Sequence, residues 1–158
     1  MTRIRPYRAD DSAACHAVYV RAVREGAASF YTLDQRMAWA PNTVRPAGMP
    51  DKLLDQWAWV AEDDRQITGF MSLRPDGYLD MAFVMPEVMG RGTAAALYDT
   101  LIARARAESL PRLTVHASHL ARRFLDRRGW QVDAAEQHPV GGQALERFAM
   151  SLCHVAGP

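Results

Sequence analysis

The chain has 158 residues, 49% of them hydrophobic and 23% charged, enough apolar content for one core in one domain over residues 1–158. Nineteen basic against 18 acidic residues leave a formal net charge of +1, which gives no electrostatic footing for nucleic acid or an anionic membrane surface. No apolar run reaches membrane-spanning length and the N-terminal residues lack the apolar core of a secretory signal. A cytoplasmic protein with a small-molecule partner is therefore expected. Cys15 and Cys153 are too few for a disulfide framework, and the five histidines show no metal-ligand spacing. No metal is expected.

In chain order, Thr2 to Arg5 alternates polar and apolar residues and predicts an edge strand stopped by Pro6. Asp10, Asp11 and Ser12 offer a helix cap and an acidic first turn. Cys15, Val18, Tyr19, Ala22 and Val23 then recur at helical spacing up to Gly26, a helix stop. The segment from Ala27 to Pro50 is irregular, with a short helix predicted at Leu33 to Trp39 behind a Thr32 cap. Its aromatic residues Phe30, Tyr31 and Trp39 suit either core plugs or a pocket wall. Trp57 to Glu62, Ile67 to Arg74 and a strand beginning at Tyr78 predict an antiparallel meander, with a bulge at Gly69.

The stretch from Tyr78 to Ser109 organises the rest. An apolar strand, Leu79 to Met85, runs through the turn Pro86 to Arg91 into a helix from Gly92 to Ser109, where Ala94, Leu97, Tyr98, Leu101, Ile102 and Ala105 share one face. The junction Met89-Gly90-Arg91-Gly92-Thr93-Ala94 would expose unpaired backbone N–H groups at the positive end of a helix dipole, a place suited to phosphate. Glycines here serve equally as plain turn residues. No Lys-Ser or Lys-Thr pair follows, which excludes a P-loop, and the dinucleotide fingerprint lacks its third glycine.

Beyond this helix, Leu113 to Ala117 predicts a strand lying parallel to the Tyr78 strand. Ser118 caps a further helix ending at Gly129. Trp130 to Ala134 and Ala144 to Leu152 predict closing strands around a polar loop from Glu136 to Gln143.

The glycine junction matches Gln/Arg-x-x-Gly-x-Gly/Ala apart from its first residue. With Val84-Met85-Pro86-Glu87, the run Leu113 to Ser118, Ala121, Phe124 and Arg128-Gly129-Trp130, the chain resembles the GCN5-related N-acetyltransferases over roughly residues 2 to 152, in a small bacterial branch. The resemblance implies an α+β fold: a mixed, mostly antiparallel twisted sheet of six to seven strands, about four helices on its two faces, and a splayed central parallel pair.

It further implies that the acetyl group of acetyl-CoA passes to a primary amine of a small molecule by direct attack in a ternary complex. The backbone of Phe83, Val84 and Met85 would pair with the pantetheine arm, residues 89 to 94 would receive the pyrophosphate, and Ser118 would contact the cofactor arm. Met89 stands where a polar residue is usual, and Arg91, Arg122 and Arg123 would compensate. Leu125 stands where the family carries a proton-donating tyrosine, and leucine cannot donate.

Asp80, a carboxylate within an apolar strand, is the candidate base, read as sharing a face with Tyr78, Ala82 and Val84; an ion pair would explain it equally. His116 on the neighbouring strand is the second titratable candidate. Phe30, Tyr31, Trp39 and Tyr78 are candidates for the acceptor pocket. An acyl-CoA-binding module without transfer, and a transferase acting on protein lysines or N-termini, remain open alternatives. Trp57 and Trp59, if exposed, would form a homodimer surface.

Overall fold

The computed structural model describes residues 1–155, so the last three positions of the expected 1–158 domain lie outside the described residues. Strands β1 (Arg3–Pro6), β2 (Trp57–Asp63), β3 (Gln66–Leu73) and β4 (Tyr78–Val84) pair successively and antiparallel. The β2–β3 turn is made by Asp64 and Arg65, whose φ values of 46° and 67° are both left-handed. Such a two-residue turn matches the right-handed twist of the strands it joins. Helix α3 (Thr93–Ala107) carries the chain over the sheet to β5 (Arg112–Ala117), which lies parallel to β4. After helix α4 (His119–Asp126), the hairpin β6 (Gln131–Val140) and β7 (Gln143–Cys153) completes a seven-stranded sheet in the order β1-β2-β3-β4-β5-β7-β6.

Two apolar layers hold the sheet. On one face Leu97, Leu101 and Ala105 of α3 and Leu125 of α4 pack on Leu73, Leu79, Leu113 and Met150, all buried. Each buried Leu or Met side chain there contributes about 1.5–3 kcal/mol by leaving water. On the other face Cys15 and Val18 of α1 (Ser12–Arg21) pack on Val60, Phe70 and Met85. Burial pushes the Cys15 thiol up to about 12, so it stays protonated and inert. Helix α1 continues as a π-helical turn from Ala22 to Gly26, and α2 (Leu33–Trp39) starts at Thr32, whose hydroxyl accepts from the Gln35 N–H as the sequence predicts.

Four expectations are corrected. Asp11 does not cap α1; its carboxylate accepts from both terminal nitrogens of Arg5 at 2.9 Å, and Arg5 Nε donates to Glu62 at 2.9 Å, tying β1 to β2 and the start of α1. The bulge lies at Thr68, because Ala61 pairs with Gly69 and Glu62 with Ile67. Gly69 is instead a close-approach residue, since a Cβ there would lie 2.8 Å from Val84 Cγ1 and 3.2 Å from Leu97 Cδ1. Residues 136 to 140 are not a loop but the end of β6, an exposed edge strand whose polar composition hid it. Gly141 and Gly142, with φ of 52° and 80°, make the turn, and Gly141 rests on Ala38 of α2. Finally, Trp59 is buried in the core and Trp57 lies under the Arg104 guanidinium at 4.8 Å, so neither offers the exposed surface read for a homodimer.

Candidate functional site

The site begins with one extra residue. Ser72 pairs with Met81 but Leu73 pairs with Leu79, which leaves Asp80 unopposed as a bulge in β4. The bulge reverses the alternation beyond it: Leu79, Ala82 and Val84 pack on the α3 and α4 side, while Met81, Phe83 and Met85 pack on the α1 side. Asp80 therefore does not share a face with Ala82 and Val84, contrary to the strict alternation read from the sequence. On its other edge β4 pairs with β5 only at Tyr78–Thr114 and Leu79–Val115, and beyond those pairs the two strands part.

The parting opens a cleft of about 450 Å³ between α3 and α4, floored by Leu79, Ala82, Phe83, Val84 and Val115. Met85 lies outside it: its N–H donates to the Thr68 carbonyl at 2.7 Å, its carbonyl accepts from Val88, and its side chain is buried against α1. Strand alternation then turns the backbone of Ala82 and Val84 towards the gap.

At one end of the cleft lies the glycine junction. Gly90 and Gly92 have φ of 78° and 85°, and a Cβ on either would meet nothing, so glycine is needed here for backbone conformation and not for space. The Met89 and Arg91 amides donate to Pro86 and Val88. Those of Gly90, Gly92, Thr93 and Ala94 have no partner among the described hydrogen bonds and stand at the start of α3, an arrangement that accepts an anion. Met89 lines the cleft as an apolar side chain. Its neighbours there include the cations Arg123, Arg127 and Arg128. Arg122 is directed elsewhere, with its guanidinium 4.4 Å from the Phe148 ring and Nε 3.4 Å from Asp126. Arg91 does not line the cleft either. Ser118 does, while its Oγ accepts from the Ala121 N–H at 3.2 Å as the cap of α4.

Leu125 forms part of the wall, so the cleft has no proton donor at that position. A hydroxyl that the sequence reading passed over, that of Tyr98, stands nearby. It accepts from Trp130 Nε1 at 2.9 Å, and Tyr98 also lines the cleft. Tyr98 was legible only as a core residue because it falls on the apolar face of α3.

The candidate acid–base groups lie on the opposite face, beside the point where β4 and β5 separate. The Asp80 carboxylate, 16% exposed, accepts from Gln56 Nε2 at 2.8 Å and pairs with Lys52 Nζ at 3.0 Å. His116 Nδ1 is 2.8 Å from the Tyr78 hydroxyl, and its Nε2 is 3.6 Å from Glu136. Burial, and then the positive charge of Arg147, push the His116 pKa below the ordinary imidazole value, so the ring is neutral at neutral pH. Asp80 and His116 flank the gap but do not line the cleft. Lys52 and Gln56 carry no sequence signal, since they sit on a short 3₁₀ turn, Lys52–Asp55, and just after it.

Of the aromatic candidates, Trp39 lines the cleft, 6.3 Å from the Phe83 ring. Phe30 and Tyr31 do not. Phe30 stacks on His119 at 5.4 Å; the Tyr31 hydroxyl donates to the Glu146 carbonyl at 2.7 Å and accepts from the His119 N–H at 3.2 Å. Both join the α1–α2 connection to α4. Tyr78 is committed to His116.

A profile described as Acetyltransferase (GNAT) domain matches residues 27–146. The chain belongs to the GNAT acetyltransferase family. It is 36% identical over 148 residues to the uncharacterized N-acetyltransferase YafP of Escherichia coli K12, covering 94% of this chain and 93% of that protein. The crystal structure of a GCN5-related N-acetyltransferase from Rhodopseudomonas palustris superposes with a TM-score of 0.87 at 29% identity, over 97% of this chain and 96% of that one. The PaiA N-acetyltransferase of Thermoplasma acidophilum, solved in complex with coenzyme A, shares the fold with a TM-score of 0.73 at 16% identity, over 97% and 99% of the two chains. In this GNAT chain the family's fold is therefore present with its parted parallel pair. No helix of the described residues is long and apolar enough to cross a membrane.

Proposed function

We propose that the protein is an N-acetyltransferase that transfers the acetyl group of acetyl-CoA to a primary amine of a small molecule, by direct attack in a ternary complex. The observation that carries this reading is the cleft itself: free amides at one end, a gap between β4 and β5 in its floor, and a carboxylate on the far side of that gap. The amides of Gly90, Gly92, Thr93 and Ala94 receive the diphosphate of the cosubstrate, and Arg123, Arg127 and Arg128 supply the positive charge that Met89 does not. The backbone of Val84 and Ala82 offers hydrogen bonds to the extended arm. Thioester chemistry then lies between the apolar cleft and the polar face.

The residues on the polar face divide the remaining work. An ammonium has no lone pair, so the acceptor must lose a proton before attack, and Asp80 takes it. His116, neutral and held by Tyr78, accepts protons from the same water-accessible face. The thiolate departs without a tyrosine at position 125, which its conjugate acid of pKa about 8.5 allows.

The test is thiol release from acetyl-CoA across a panel of primary amines. Acceptor-dependent release that falls roughly 100-fold in Asp80→Asn is expected, the lower end of what a positioned base contributes. Leu125 in the cleft wall favours a second reading, a binding module that holds acyl-CoA without transfer. Saturable cofactor association with no release to any amine would select it.

A further inference from the structure

Of the 19 basic residues in the chain, Lys52 is the only lysine. The others are arginines, whose guanidinium stays protonated and does not act as a nucleophile towards a thioester. The described residues therefore present two amines. One is the N-terminal ammonium, bonded to Asp63 at 3.0 Å at the end of β2. The other is Lys52 Nζ, 3.0 Å from Asp80 Oδ2, beside the place where β4 and β5 part. The lysine side chain is 57% exposed, and an ion pair so open to water adds little to stability. Its position has a chemical meaning instead, because an ammonium held on the carboxylate that deprotonates the acceptor stands where an acceptor ammonium stands.

We propose that Lys52 is an internal acceptor: the protein acetylates its own sole lysine. This rests on the transferase reading above. Asp80 takes a proton from the Lys52 ammonium and passes it to solvent. The freed Nζ lone pair forms a bond to the carbonyl carbon of an acetyl thioester, the C–S bond breaks, and the departing thiolate takes the second proton released from nitrogen. The products are N-acetyl-Lys52 and a free thiol. Loss of the ammonium leaves Asp80 Oδ2 with the Gln56 hydrogen bond and removes the cation that competes with an external amine for this carboxylate.

The experiment is incubation of the full chain with acetyl-CoA and no added amine, followed by intact mass measurement and peptide mapping. The expected result is a single acetyl increment located on Lys52, at a rate independent of protein concentration. It should be absent in Lys52→Arg and at least about 100-fold slower in Asp80→Asn. Acetylation shared equally between Lys52 and the Met1 amine, persisting in Asp80→Asn and in urea-unfolded protein, marks uncatalysed chemistry and overturns the inference. An unmodified Lys52 in a preparation that releases thiol with added amines overturns it while leaving the transferase reading intact. No thiol release with any amine, together with no modification, removes both.

Discussion

At the scale of single residues, the bulge at Asp80 decides which face each neighbour serves. It puts a carboxylate on the polar face and sends Ala82 and Val84 to the cleft. Asp80→Asn keeps the side-chain volume and the Gln56 partner, so cosubstrate affinity measured by calorimetry should hold within about twofold while kcat/KM falls roughly 100-fold. Equal losses in both would assign Asp80 to architecture. For His116 the prediction concerns titration: its imidazole should titrate below the ordinary value of about 6.5, and Arg147→Gln should move that midpoint upward when followed by NMR, because one cause of the depression has gone. Asp80 was legible in the sequence as a carboxylate in an apolar strand. Its side of the sheet was not, since one inserted residue leaves composition and spacing unchanged while reversing every later position.

Among the elements, the turn into α3 was read correctly from its glycines, but its donors were not. Four of the six amides from 89 to 94 have no partner among the described hydrogen bonds, and the two others close successive turns on the Pro86 and Val88 carbonyls. Gly92 at φ 85° is the helix cap, so Gly92→Val forces a β-branched residue into a left-handed conformation. A loss of about 1–3 kcal/mol in stability is expected from that strain, with a rise in coenzyme A Kd larger than that for Gly142→Val, a change at another left-handed glycine remote from the cleft. The β6–β7 hairpin teaches the opposite lesson. Its residues from Glu136 to Val140 lack apolar alternation because the strand is exposed at the sheet edge, so nothing in the pattern separated strand from loop.

On the scale of the whole molecule, the order of apolar strands and helices was enough to give the antiparallel meander and the parallel crossover, while the full sheet with helices on both faces came from the family resemblance. Long-range polar ties were not legible, and the triad of Arg5, Asp11 and Glu62 is the main one. Hydrogen bonds from Arg5 hold the Asp11 carboxyl below the usual carboxylate range. Its contribution is therefore complete above the unfolded value of about 3.9 and disappears as pH falls through the lower folded value. Asp11→Ala should cost about 1–3 kcal/mol by leaving buried guanidinium donors unpaired while Glu62 still holds the charge, and its denaturant midpoint should depend less on pH over that acid window.

Every other proposal depends on the parted strands and the free amides together forming a seat for a coenzyme A ester. Isothermal titration of the protein with coenzyme A tests it most directly. Saturable binding of one molecule per chain is expected, weakened by Gly92→Val and nearly unchanged by Asp80→Asn. Absence of saturable heat, with coenzyme A and with acetyl-CoA alike, would contradict it.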